Sequence, residues 1–72
     1  MPQTEIAIRG EGIRLGQLLK LAGVIEGGGE AKAYLAGTPV LVNGEPDARR
    51  GRQLRPGDVV VAGEEELRLV QG

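Results

Sequence analysis

Four arginines, Arg49, Arg50, Arg52 and Arg55, fall within seven consecutive residues that contain no acid. A guanidinium stays charged at every physiological pH, and its planar fork of N–H groups matches the paired oxygens of a phosphate or carboxylate. Solubility alone does not call for four arginines and no lysine in so short a window, so the segment reads as a grip for an anionic partner rather than a merely solvated loop. Its charge of +4 is hidden in the total: the rest of the chain carries −5, and the formal net charge is only −1. The distribution, not the sum, marks one electropositive region.

What else the side chains could do is limited. Cysteine and histidine are absent, which removes disulfides, thiolate nucleophiles, imidazole bases and the usual zinc ligand sets. The carboxylates offer no catalytic pair: Glu64, Glu65 and Glu66 are adjacent in a polar turn, and Glu45 and Asp47 flank a hairpin. No catalytic residue, metal or cofactor is therefore expected, and no small-molecule substrate. Tyr34 is the one aromatic residue, whereas proteins that hold single strands stack successive bases on several aromatic faces. A positive surface poor in aromatics suits phosphate and 2′-hydroxyl contacts on folded RNA. The run Gly27-Gly28-Gly29 precedes a helix, but it lacks the Lys-Ser/Thr ending of a phosphate-binding loop and the strand before it. It reads as a flexible interhelical corner, with the helix cap at Gly28 or Gly29.

The elements that must position the arginines follow from periodicity. Ile6 and Ile8 alternate with Glu5, Ala7 and Arg9, which predicts a first strand ending in the turn Gly10-Glu11-Gly12. Leu15, Leu18, Leu19 and Ala22 recur at spacings of three and four, and Gly23 stands at a C-cap position, so the first helix spans Leu15 to Ala22. After a link of roughly five residues, Ala31, Tyr34 and Leu35 repeat the helical spacing until Gly37 and Pro39 stop it. Val40-Leu41-Val42 then runs into Asn43-Gly44, a pair that readily takes the positive φ angles of a two-residue hairpin turn. Pro56-Gly57 marks a type II turn, Val59 to Ala62 a further strand, and Leu67 to Val70 a last short one entered through the solvated run Glu64 to Glu66. One strand, two helices and three strands make a single α+β domain over residues 1–72, two helices packed on a small, mostly antiparallel sheet. Arg14 before the first helix, and Lys20 and Lys32 on the two helices, project from the faces that leave Leu18, Leu19, Ala31 and Leu35 for the core. They are placed to extend the basic patch.

Leu18 to Gly23, then Gly28-Gly29-Glu30-Ala31-Lys32, Val40 to Glu45, Arg49-Arg50-Gly51-Arg52 and Leu54 to Val59 stand in one register across about residues 13–62. This series resembles the RNA-binding domain of small-subunit ribosomal protein four, the alpha-L RNA-binding motif, in its bacterial stand-alone form. The resemblance implies a non-catalytic protein that binds structured RNA, ribosomal or transfer RNA. It also implies RNA contacts at Arg14, Lys20, Lys32, Asn43, Arg49, Arg50, Arg52 and Arg55, with Asn43 alternatively a turn residue only. Gln53 departs from the pattern where a basic residue is common, and Gly29 where a hydroxyl cap is usual. Two other readings compete. Ubiquitin-like sulfur carriers resemble Val42 to Glu45, Leu54 to Val59 and Val70-Gln71-Gly72, but they act through a diglycine where this chain has Gln71-Gly72. A protein-binding module whose arginines meet an acidic partner fits the composition equally well. No apolar run reaches the roughly 18 residues of a membrane span, and Met1 to Gly10 lacks the pattern of a signal peptide, so a cytoplasmic protein is expected; a monomer is expected as well.

Overall fold

The computed structural model describes residues 3–10, 12–27 and 29–72. Glu11 of the first turn and the Gly28 half of the expected helix cap lie outside them. The described chain runs β1 (Gln3–Ile8), β2 (Ile13–Arg14), α1 (Leu15–Leu21), α2 (Glu30–Gly37), β3 (Val40–Val42), β4 (Glu45–Pro46), β5 (Gln53–Leu54), β6 (Val59–Ala62) and β7 (Glu65–Gln71).

The α+β expectation holds: five strands form one sheet in the order β1-β7-β6-β3-β4, antiparallel except where β1 joins β7 in parallel. Both helix boundaries follow the predicted signals. Ala22 caps α1, Gly23 has φ +78°, and α2 ends at Gly37. Asn43 at φ +53° and Gly44 at φ +85° turn β3 into β4, and Gly57 at φ +99° completes the Pro-Gly turn.

Three features differ from the sequence reading. Strands β2, β4 and β5 are only two residues each, too short for periodicity to reveal. The helices end and begin further apart than the expected five residues, at Leu21 and Glu30, because Gly23 at φ +78° stops α1 early. The last strand is long, and it takes Glu65 and Glu66 into the β6–β7 ladder as half-buried residues rather than leaving them in a solvated turn.

Alternation places the core between helices and sheet. Val40 and Val42, Val60 and Ala62, and Leu67 and Leu69 are buried on one sheet face against Leu15, Leu18, Leu19, Ala31 and Leu35. Leu54 and Ile8 close the same cluster, with Tyr34 half-buried at its edge.

The short β2–β5 ladder pairs Ile13 with Leu54 and Arg14 with Gln53, and it brings the arginine segment to the start of α1. Glycine is obligatory beside it: Gly12 has φ +119°, and a Cβ there would sit 1.9 Å from the Leu54 carbonyl oxygen.

Candidate nucleic-acid interface

The arginine segment leaves β4 with Asp47, whose backbone N–H extends the hairpin pairing by donating to the Val40 carbonyl at 2.9 Å. The Asp47 side chain is only 6% exposed, and a buried carboxylate needs partners. It has four. Oδ1 accepts the backbone N–H of Arg49 at 3.0 Å and its Nε at 3.1 Å, while Oδ2 accepts Arg49 Nη2 at 2.9 Å and Arg52 Nη1 at 2.8 Å. The Arg49 side-chain bonds first, then its backbone N–H, and then Arg52 hold the Asp47 carboxyl well below the usual carboxylate range, against the opposing push of burial. The same pairing raises the already high Arg49 pKa.

This acid lies just outside the acid-free window that the sequence singled out, and it divides the cluster. Arg52, at 35% side-chain exposure, is a partner of the buried acid. Arg49 is tied to that acid as well, although 73% of its side chain remains exposed. Arg50 is exposed and has no ion-pair partner among the described residues.

The turn is fastened on its other side to α1. The first N–H groups of a helix lack intrahelical acceptors, and here Leu15 N–H donates to the Arg52 carbonyl and Gly16 N–H to the Arg50 carbonyl, each at 2.9 Å. Gly16 permits this approach: a Cβ on it would already touch Ala31 Cβ and Arg50 Cβ at 3.4 Å. Gln17 adds a further tie, its Oε1 accepting the Arg14 N–H at 3.1 Å.

Arg14, Gly16, Gln17, Lys20, Ala31, Arg50 and Gly51 thus line an open cleft of about 390 Å³ between α1, α2 and the arginine turn. Gly16 and Lys20 are four residues apart and share one face of α1, and the lining includes no acid and no aromatic residue. Arg14 and Lys20, like Arg50, have no ion-pair partner among the described residues.

The remaining expected contacts lie elsewhere. Lys32 is exposed on α2 but does not line the cleft. Arg55 lines a separate depression with Gly10, Gln53 and Pro56. The Asn43 side chain is engaged in structure: Oδ1 accepts the Val59 N–H at 2.9 Å and Nδ2 donates to Asp58 Oδ1 at 3.0 Å. The turn role is the one its geometry displays.

A family profile described as the S4 domain matches residues 6–70. This chain belongs to the S4 domain family. A relative named probable ribosome maturation protein RlbA, from Bacillus subtilis (strain 168), is 62% identical over 55 residues, covering 76% of this chain and 78% of the relative.

The S4 match takes in both helices and the whole arginine turn. Gly72 continues β7, donating its N–H to the Ile8 carbonyl at 2.8 Å, and a Cβ on it would lie 2.8 Å from Ala7 Cβ. Among the described helices none is long and apolar enough to cross a membrane.

Sequence reasoning passed over Asp47, Gly16 and Gln17. Asp47 carried one usable signal, since an aspartate two residues before the residue whose N–H it accepts is a common turn spacing. A glycine inside a helix, as at Gly16, costs stability relative to alanine and signals a close approach.

Proposed function

We propose that this S4-domain protein binds folded RNA, ribosomal RNA in particular, through the sugar-phosphate backbone, with Arg14, Lys20 and Arg50 as the central phosphate-gripping set. One observation carries the reading: three cations without carboxylate partners among the described residues converge on a single open cleft that no acid lines. The ribosome maturation protein among its relatives supports ribosomal RNA as the target.

Lys32 and Arg55, both exposed outside the cleft, add positive charge to the surface, and Arg49 contributes the exposed part of its guanidinium. Tyr34 is packed at the core edge beside Gly63, so the cleft presents no stacking platform. Recognition then rests on the spacing of phosphates in a folded RNA rather than on base identity.

The test is a fluorescence-anisotropy titration of ribosomal RNA stem-loops over a range of salt. Three to five phosphate contacts give a log-log slope of about −3 to −4.5, because each neutralised phosphate releases condensed counterions. An unstructured homopolymer of equal length should bind more weakly. A flat salt response refutes the phosphate grip, and equal affinity for polyglutamate would assign the surface to acidic proteins instead.

A further inference from the structure

On charge alone Asp47 opposes binding to a polyanion, since it sits among the arginines and neutralises part of their field. Its surroundings indicate a different role. Ala48, Arg49, Arg50 and Gly51 are all exposed, so no apolar burial holds the turn in shape, and Gly51 adds backbone freedom. Polar ties do that work instead.

Asp47 collects both ends of the turn on one carboxylate, through Arg49 and Arg52, and Arg52 N–H closes it on the Arg49 carbonyl at 3.1 Å. Its own N–H anchors the carboxylate to β3. In that shape the Arg50 and Arg52 carbonyls point at the first N–H groups of α1, and the Arg50 side chain comes to the cleft shared with Arg14 and Lys20.

We propose that Asp47 is a positioning residue of the RNA site: it fixes the arginine turn against α1, so that deleting this negative charge weakens RNA binding instead of strengthening it. The proposal rests on the RNA reading above and specifies how its site is held.

The two physical expectations have opposite signs. If charge decides, Asp47→Asn leaves the charges of Arg49 and Arg52 without a counter-charge and removes one repulsive carboxylate, so affinity rises and the salt slope steepens by about 1 to 2. If position decides, the freed turn samples many conformations and Arg50 must be ordered again on binding, which lowers affinity.

A double-mutant cycle separates them. Wild type, Asp47→Asn, Arg50→Gln and the double variant are titrated with unfractionated transfer RNA, a compactly folded probe, at a temperature where circular dichroism shows all four folded. Asp47→Asn should bind about 5- to 20-fold more weakly, and Arg50→Gln should cost about fivefold in the wild type but less than about twofold beside Asp47→Asn, since coupled residues are non-additive.

A readout free of RNA accompanies it. Amide hydrogen exchange at Leu15 and Gly16 should quicken in Asp47→Asn while Val60 and Leu67 keep their protection. Should Asp47→Asn not fold, Asp47→Glu carries the same cycle, with the Arg50 coupling reduced but present.

Tighter binding by Asp47→Asn, strictly additive losses, or unchanged exchange at Leu15 and Gly16 each overturns the positioning role while leaving the RNA reading intact. A wild type that binds neither transfer nor ribosomal RNA overturns that reading, and the role built on it.

Discussion

Replacing Arg50 and Arg52 separately by glutamine should separate binding from stability within one turn. Arg52 Nη1 meets Asp47 Oδ2 at 2.8 Å, beside a carboxylate only 6% exposed. A hydrogen bond to a charged group contributes about 1.5–3 kcal/mol, and a buried acceptor left short of a partner adds a desolvation cost. Asp47 keeps three bonds from Arg49 in the variant, and Arg52 is 35% exposed, so the lower part of that range applies. We expect Arg52→Gln to cost about 1–2 kcal/mol, which lowers Tm by roughly 5–15 °C in a domain of this size. Arg50 is exposed and unpaired among the described residues, so Arg50→Gln should stay within about 0.5 kcal/mol, a Tm change below about 4 °C. Binding should show the reverse order. Arg50→Gln removes one phosphate contact and flattens the salt slope by about 0.9, whereas Arg52→Gln leaves the slope nearly unchanged at low temperature. Thermal melts by circular dichroism and anisotropy titrations at several salt concentrations measure both quantities. Equal Tm losses for the two variants, or a slope that falls only with Arg52→Gln, would refute the division of the cluster into gripping and structural arginines.

Gly12→Ala should lower Tm by more than about 15 °C, because a methyl group cannot occupy space 1.9 Å from the Leu54 carbonyl and the +119° φ adds strain of order 1–3 kcal/mol. Little or no change in the melt would show that the β2–β5 ladder does not need that approach. Gly16→Ala should be tolerated, its Cβ contacts of 3.4 Å being at the edge of ordinary packing. Gly16→Val should displace the Arg50 turn at a cost of about 1–3 kcal/mol and weaken RNA binding in the same titration. Acid should act through Asp47. Its pKa is depressed in the folded state, so its stabilisation is present above the unfolded value of about 3.9 and is lost as pH falls toward the folded value. Melts should therefore hold near-constant Tm from pH 6 to 8, where no histidine titrates, with the Asp47 contribution disappearing only below about pH 4. A loss of stability centred at pH 6 would contradict this assignment.

Much of the scaffold was legible in local sequence because its signals are local. Leu15, Leu18 and Leu19 face the core since helical spacing puts them on one side. Gly23 and Gly37 stand where the helices end, and Asn43-Gly44 turns because this pair accepts positive φ. The α+β class and the basic character of residues 49–55 came from the same kind of reading. Strands of two residues leave no period to detect, and the parallel pairing of β1 with β7 joins residues more than sixty positions apart, so those followed only from the assembled sheet. The site divides the same way. Composition identified four arginines as a unit, since charge is additive along a chain. Which arginine meets a carboxylate depends on where the β3–β4 hairpin sets Asp47 down, and which cations share a cleft depends on how closely Gly16 lets the turn approach α1. Arg14, Lys20 and Arg50 are separated by up to 36 positions in the sequence and line one cleft only because two backbone hydrogen bonds join the turn to the start of the helix.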